Sequence, residues 1–201
     1  MTYLIQGLQS IGFHNKALAL AKKTVILAEK SESATERILF YNTFGDILLS
    51  VNELPDAIQY LKIALKEAKA SKNREVMASV MNHVANAVIV DGDINTGIQI
   101  YDNALIFLAK SDKTALKTKI YLNLAYVISM AGTYEEALTA FQDAMKMIQS
   151  LPDNYDKAFN YISLSQTGMM INNFFQKGIH NTKNAINCLN LPWSLVKTFK
   201  I

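Results

Sequence analysis

The apolar residues of this chain form short stripes at helical spacing, and brief polar or glycine-containing breaks separate the stripes. Within a stripe the apolar positions lie four and then three residues apart, as in Leu54, Ile58 and Leu61; Ile94, Ile98 and Tyr101; and Tyr134, Leu138 and Phe141. This spacing places the side chains on one face of an α-helix. The pattern predicts helices over residues 34–51, 54–71, 74–91, 94–110, 114–131, 134–150, 155–171 and 174–190.

Residues that tolerate a left-handed backbone recur every forty positions along the chain. Glycine or asparagine stands at each of the positions Gly12, Asn52, Gly92, Gly132 and Asn172. These two residue types adopt a positive φ at the lowest cost. We therefore expect a sharp turn at each position, which joins the two helices of one repeat.

Small residues recur in register on both sides of each expected turn. Five positions after the turn stand Ala17, Ala57, Gly97, Ala137 and Lys177, and seven positions before it stand Ile5, Gly45, Ala85, Ala125 and Ser165. Small side chains let two helix axes approach closely, so they mark where paired helices cross. The chain is predicted to be one tandem array over 1–201, with a partial repeat at 1–33, full repeats at 34–73, 74–113, 114–153 and 154–193, and the start of a further helix at 194–201.

Together these columns of small and aromatic residues resemble the tetratricopeptide repeat (TPR) family. The third full repeat matches the family's ladder best, through Asn123, Leu124, Ala125, Gly132, Tyr134, Ala137, Leu138, Phe141 and Ala144. Two departures stand out. The period is forty residues instead of the family's usual length of about thirty-four, as in its long-helix variants. In the last repeat, Lys177 occupies the column of small residues, and Gly178 and Ala185 fit one position late.

The resemblance implies an all-α fold, a right-handed α-solenoid of antiparallel helix pairs, and a non-catalytic scaffold for protein–protein interaction. In this family the first helices of the repeats line a concave groove that binds a peptide or partner protein. The groove positions implied here are Asn42, Asp46, Asn82, His83, Asn86, Lys119, Asn123 and Tyr126. Asparagine amides offer both a donor and an acceptor to an extended peptide backbone. The alternative is that these residues are solvated positions on the helix surface.

Some members of the family hold a C-terminal carboxylate with a Lys–Asn–Asn–Lys–Arg set. Asn86 and Asn123 match the two asparagines, but Asn82, Phe159 and Ser163 occupy the other three columns, so this clamp is not expected here. A second interpretation of function is a regulatory or sensor segment of a larger multidomain protein, which controls an attached effector domain. A longer reading frame would distinguish this from a separate scaffold.

The sequence contains few signals for catalysis, a cofactor or a metal. Its three histidines, His14, His83 and His180, fall in unrelated columns, and the sequence has no CxxC motif. It also lacks a glycine-rich phosphate loop and a nucleophile elbow. We therefore predict that the chain is not an enzyme and requires no cofactor or metal.

Charge and hydropathy narrow the classes of partner. The net charge of +3 comes from basic ends around a neutral-to-acidic middle, and only two of the basic residues are arginines, so no nucleic-acid partner is expected. Apolar runs such as 87–90 are far short of a membrane span. Cys188 is the single cysteine, which excludes an internal disulfide and suits a reducing compartment. These features favour a cytoplasmic protein.

Both ends of the sequence cut a repeat open in this register. Residues 194–201 resemble 114–120, the opening of a first helix. A solenoid ends in units with a polar outer face, and Trp193 and Phe199 do not provide one. We expect the chain to be a segment of a longer array or multidomain protein. The alternative is self-association, in which the cut ends of two copies pair.

Overall fold

The computed structural model describes residues 1–152 and 155–178, and this part of the chain is built of α-helices joined by tight turns. The helices are α1 (Thr2–Ser10), α2 (His14–Glu29), α3 (Ala34–Ser50), α4 (Leu54–Ser71), α5 (Arg74–Val90), α6 (Ile94–Phe107), α7 (Thr114–Met130), α8 (Tyr134–Ser150) and α9 (Tyr155–Gly178). The predicted all-α helical-repeat fold is confirmed. Residues 179–201, which include Cys188, most of the predicted helix 174–190 and the segment 194–201, lie outside the described residues.

Four of the five predicted turn residues adopt the left-handed conformation. The φ angles are 84° at Gly12, 63° at Asn52, 103° at Gly92 and 89° at Gly132. At the second turn the backbone N–H of Glu53 donates to the carbonyl of Leu48 at 2.8 Å. The same hydrogen bond, from a backbone N–H to the carbonyl five residues earlier, recurs at the first and third turns, from Phe13 to Leu8 and from Asp93 to Val88. These bonds satisfy carbonyls that a helix end leaves unpaired, which explains why the turn repeats.

The fifth predicted turn, at Asn172, is wrong, because α9 continues through this residue to Gly178. The second turn also uses an asparagine, but Pro55 follows Asn52 and lies in the first turn of α4. A proline cannot occupy a helix interior without breaking it, so the chain must end α3 before that point. Phe175 stands in the corresponding position after Asn172. Asparagine costs under about 1 kcal/mol in a helix interior, so it does not terminate a helix alone.

Met1–Phe107 form one compact unit, which contains α1 to α6. The helices pack as pairs, α1 with α2, α3 with α4 and α5 with α6, and the first helices α1, α3 and α5 contact one another in order. The predicted role of the small residues is visible at Gly45. A Cβ there would lie 2.5 Å from Cγ of Leu61 in α4, so only glycine lets α3 and α4 approach this closely.

A second compact unit begins at Leu108, and in its described part α7 packs against both α8 and α9. Its described core is apolar and comes from all three helices: Leu122, Ala125, Ala140, Phe141, Ala144, Ile148, Leu164 and Ile171. The α7–α8 pair is the predicted helix pair of the third full repeat. Since α9 belongs to the next repeat, α7 and α9 are first helices of neighbouring repeats.

Helix α1 has nine residues, whereas α3, α5 and α7 each have seventeen. The partial first repeat stays a prediction. Tyr3 and Leu4 of α1 are exposed, although Thr43 and Phe44, forty positions later in α3, are buried. Self-association through such surfaces stays a prediction, as does the single array over 1–201.

Candidate functional site

In the first unit, the predicted groove residues Asn42 and His83 are buried and hydrogen-bonded to each other. The distance between His83 Nδ1 and Asn42 Oδ1 is 2.9 Å. The Asn42 amide nitrogen donates to Ser79 Oγ at 3.3 Å, which turns its oxygen towards the ring. His83 Nδ1 must therefore carry the proton in this pair, because an amide oxygen only accepts.

Asp46 extends this set of contacts to α1. Its Oδ2 accepts a hydrogen bond of 2.6 Å from Gln9 Nε2, and its Oδ1 lies 3.8 Å from His83 Nε2. One helical turn earlier, Gln6 Nε2 donates to Thr43 Oγ1 at 2.9 Å. We call this set the polar ladder; it consists of Gln6, Gln9, Asn42, Thr43, Asp46, Ser79 and His83. Most of its contacts join residues 37 positions apart, so the same contact recurs between successive first helices. We call each such contact a rung of the ladder.

The two remaining predicted residues of the first unit also lie inside the packing. Asn82 has only 1% of its surface exposed. Asn86 is half-buried, and its Oδ1 accepts a short hydrogen bond from the hydroxyl of Tyr101 in α6. Asn86 thus ties the two helices of its own repeat together. The alternative of solvated surface positions does not describe Asn42, Asn82 or His83, since all three are buried.

In the second unit, the structure brings all three predicted groove residues to one cavity. Lys119, Asn123 and Tyr126 line a cavity of about 620 Å³ between α7 and α9. They are spaced four and three residues apart, so they share one face of α7. We call this space the α7–α9 cavity; its lining residues are Ala115, Leu116, Lys119, Leu122, Asn123, Tyr126, Asn160, Ser163, Gln166, Thr167 and Met170.

The lining of the α7–α9 cavity combines hydrogen-bonding groups with apolar surface. Five uncharged polar side chains, Asn123, Asn160, Ser163, Gln166 and Thr167, contribute amides and hydroxyls. Leu122 is buried, whereas the thioether side chain of Met170 is exposed. Lys119 is the only charged residue in the lining set. Such a surface suits a ligand with both backbone-like polar groups and apolar side chains, which is the chemistry of a peptide.

The sequence analysis missed the α9 wall of the cavity, formed by Asn160, Ser163, Gln166, Thr167 and Met170. It assigned no groove residues in the fourth repeat and considered Ser163 only as a column of the carboxylate clamp. The 37-residue offset of the polar ladder would have found two of them. From Asn123 and Tyr126 this offset leads to Asn160 and Ser163, and all four residues line the cavity.

Two further observations concern ligands and location. Among the described residues, no cluster of three or more His, Cys, Asp or Glu side chains is arranged to hold a metal ion. Within the same part of the chain, no helix has the length and hydropathy needed to cross a membrane. Neither observation changes the assignment of the cavity.

Solved structures with the same architecture match nearly the whole chain. BtubC (BKLC) from P. vanneervenii superposes with a TM-score of 0.72 at 18% identity, covering 97% of this chain and 78% of that one. A putative kinesin light chain from Podosopora anserina with nearly identical TPR-like repeats gives a TM-score of 0.63 at 13% identity, covering 100% and 95%. The Rap conjugation gene regulator of plasmid pLS20, in complex with the Phr* peptide, gives a TM-score of 0.68 at 16% identity. The match covers 96% of this chain and 60% of that one.

At the level of sequence, no family model and no curated protein matches the chain. The likeness therefore lies in the arrangement of the helices. The structural neighbours include proteins described as TPR-like repeats, and they cover the chain almost completely. The chain has the all-α helical-repeat fold of the tetratricopeptide repeat proteins.

Proposed function

We propose that the chain is a non-catalytic interaction scaffold that binds a peptide segment of a partner in the α7–α9 cavity. The observation that carries this proposal is the convergence of Lys119, Asn123 and Tyr126 with a polar wall of α9 around one space. The lining on α7 and on α9 each spans about three helical turns, or roughly 16 Å. An extended segment of about five residues has that length.

The chemistry of the lining supports a peptide as the ligand. Amide side chains such as Asn123 and Asn160 can donate to a peptide carbonyl and accept from a peptide N–H. The exposed part of Met170 and the ring of Tyr126 provide adaptable apolar contact for side chains. A structural neighbour of this fold, the Rap regulator, was solved in complex with a peptide, which is consistent with this use of the fold.

The proposal is tested by selecting peptides from a phage-displayed library of random heptapeptides on the immobilised chain. Peptides that bind are then titrated against the wild type and against Asn123→Ala and Tyr126→Ala. We expect each substitution to weaken binding about tenfold or more, because a contact in the centre of a site is lost. Asn103→Ala, at an exposed position of α6, is the matched control and should bind like the wild type.

Two outcomes would defeat the proposal. One is that no peptide is enriched on the wild type over a blank surface. The other is that enriched peptides bind Asn123→Ala and Tyr126→Ala as tightly as Asn103→Ala, which would place binding outside the α7–α9 cavity.

A further inference from the structure

A further cavity lies within the first unit, where the start of α1, the end of α2 and the start of α3 meet. Its volume is about 310 Å³. We call it the α1–α3 cavity; its apolar lining includes Met1, Tyr3, Leu27, Ala28, Leu39 and Phe40. Glu36 is the only residue of the lining set with a charged side chain.

The apolar side chains at the mouth of this cavity are exposed in columns that are buried in the next repeat. Met1 and Tyr3 have 67% and 78% of their surface exposed. Forty positions later, Tyr41 and Thr43 in α3 have only 5% and 3% exposed. Grouped apolar residues that face water are typical of a surface that another chain covers.

The next repeat shows what covers the equivalent place. Glu67 stands in the column of Leu27, and Arg37 in the first half of α3 donates from Nε to both oxygens of its carboxylate, at 3.1 and 3.0 Å. Ile38, the neighbour of Arg37, is buried. The opening turns of a first helix thus cover the end of the second helix, whereas in the first repeat Leu27 is 65% exposed. The α1–α3 cavity therefore suits the opening turns of a first helix.

Residues 194–201 of this chain, with the sequence SLVKTFKI, have the chemistry that this surface requires. The sequence analysis identified them as the opening of a first helix. Leu195 and Phe199 are four positions apart, so in a helix they would share one face. Two large apolar side chains would then meet exposed residues such as Tyr3 and Leu27.

The charges of the two surfaces are complementary. Residues 29–36, which include part of the cavity lining, carry three glutamates against one lysine, and Glu36 itself lines the cavity. Residues 194–201 carry Lys197 and Lys200 and no acidic residue. Opposite charges around an apolar contact orient the two partners and disfavour wrong ones.

We propose that the α1–α3 cavity binds residues 194–201 of a second copy of this chain, so that copies associate head to tail. The source is a second copy because each repeat of a tandem array contacts only its neighbours, and the cavity and the segment belong to opposite ends of the predicted array. The contact joins two different surfaces, so each copy can bind one neighbour at its cavity and another at its segment. This inference goes beyond the proposed function and does not involve the α7–α9 cavity.

Sedimentation equilibrium of the 201-residue chain tests the association. We expect the weight-average mass to rise over about 1–500 µM, because a contact of this size falls among the weak interfaces. Leu27→Lys places a positive charge opposite the basic segment, and Phe199→Asn removes an apolar contact, so each should weaken association about tenfold or more. Ile26→Lys is the matched control, since Ile26 is 58% exposed and lies outside the lining set. It should associate like the wild type.

Mixing the two defective variants tests the direction of the contact. Leu27→Lys keeps an intact segment and Phe199→Asn keeps an intact cavity. An equimolar mixture should therefore form a 1:1 heterodimer with about the wild-type affinity and grow no further, because its remaining cavity and segment are both defective. Circular dichroism and thermal unfolding of each variant establish that it is folded.

A charge exchange tests the same contact at exposed positions. Glu36→Lys and Lys197→Glu/Lys200→Glu should each weaken self-association, and one chain that carries all three substitutions should recover most of the lost affinity.

Three outcomes would overturn the inference. The first is a wild type that stays monomeric throughout the concentration range. The second is association that Leu27→Lys and Phe199→Asn leave unchanged, which would place the contact on another surface. The third is a mixture of these two variants that stays monomeric although both are folded. None of the three bears on peptide binding in the α7–α9 cavity, so the proposed function is tested separately.

Discussion

Equivalent positions of the repeat contribute to the polar ladder in the first unit and to the α7–α9 cavity in the second. Thr43, His83 and Asn123 share one column, and Asp46, Asn86 and Tyr126 share another. In the first unit, Thr43, Asp46 and His83 bond to side chains of neighbouring first helices. In the second, Asn123 and Tyr126 line a cavity of about 620 Å³. The comparison teaches that a column fixes where a side chain points, while the facing helix decides whether that side chain is buried between helices or lines a cavity.

The largest effect should come from cutting the ladder at its most buried rung. Asn42→Leu removes both the acceptor for His83 and the donor to Ser79, so buried polar groups lose their partner. We expect the free energy of unfolding to fall by about 3 kcal/mol. Urea denaturation followed by circular dichroism measures this change.

The matched variant in the cavity is Asn123→Leu, which makes the same substitution at a half-buried position of α7. We expect it to lower the free energy of unfolding by less than Asn42→Leu does, because its side chain borders the cavity and is less buried than that of Asn42. An equal loss in the free energy of unfolding for Asn42→Leu and Asn123→Leu would show that both regions serve stability. The proposed difference between the polar ladder and the cavity would then be wrong.

Much of the fold could be predicted from the sequence because local signals agree with one another. The turn residues, the small residues and the apolar stripes all repeat at forty, and the helix bounds they predict match the structure closely. The prediction for α6 ran to 110, three residues past its end at Phe107. The turn at Asn172 failed because asparagine permits either a turn or a helix, and no proline followed to decide between them.

The site could be predicted only in part, because burial depends on the facing helix. The resemblance to the TPR family assigned Lys119, Asn123 and Tyr126 to the groove, and all three line the α7–α9 cavity. Their role in binding a partner stays a prediction. It could not show that Asn42 and His83 are engaged by each other, since that contact needs the register between α3 and α5. It passed over Asn160, because an asparagine in the fourth repeat is noticed only beside Phe40, Val80 and Ile120.

A smaller effect should come from the contact between Asp46 and His83. The two side chains are 3.8 Å apart and partly shielded from water. A double-mutant cycle of Asp46→Asn and His83→Gln should give a coupling energy of about 1 kcal/mol in urea unfolding. Additive losses from the two single variants would show that this rung contributes no pairwise stabilisation. Peptide binding in the cavity should be unaffected by either substitution, which sharpens the division between the regions.

The smallest effect should come from the first rung, on α1. Gln6→Ala removes one neutral hydrogen bond to Thr43 from a half-buried position, so we expect a loss of about 0.5 kcal/mol. Gln9→Ala removes a bond to a carboxylate and should cost roughly twice as much, about 1 kcal/mol. The two variants are compared in the same urea titration. A larger loss for Gln6→Ala than for Gln9→Ala would contradict the assignment of charge to the Asp46 rung.

The constant offset of the ladder has a consequence for how such a chain can gain or lose length. Excision of 34–73 in a single event would bring Gln6 opposite His83 and Gln9 opposite Asn86, because each partner is replaced by the residue forty positions later. Both new pairs can still exchange a hydrogen bond. An insertion or deletion of another length inside a first helix would move the later ladder residues of that helix to a different face. Whole repeats can therefore be added or removed with the hydrogen bonds between first helices preserved, whereas a shorter change within a helix would break them.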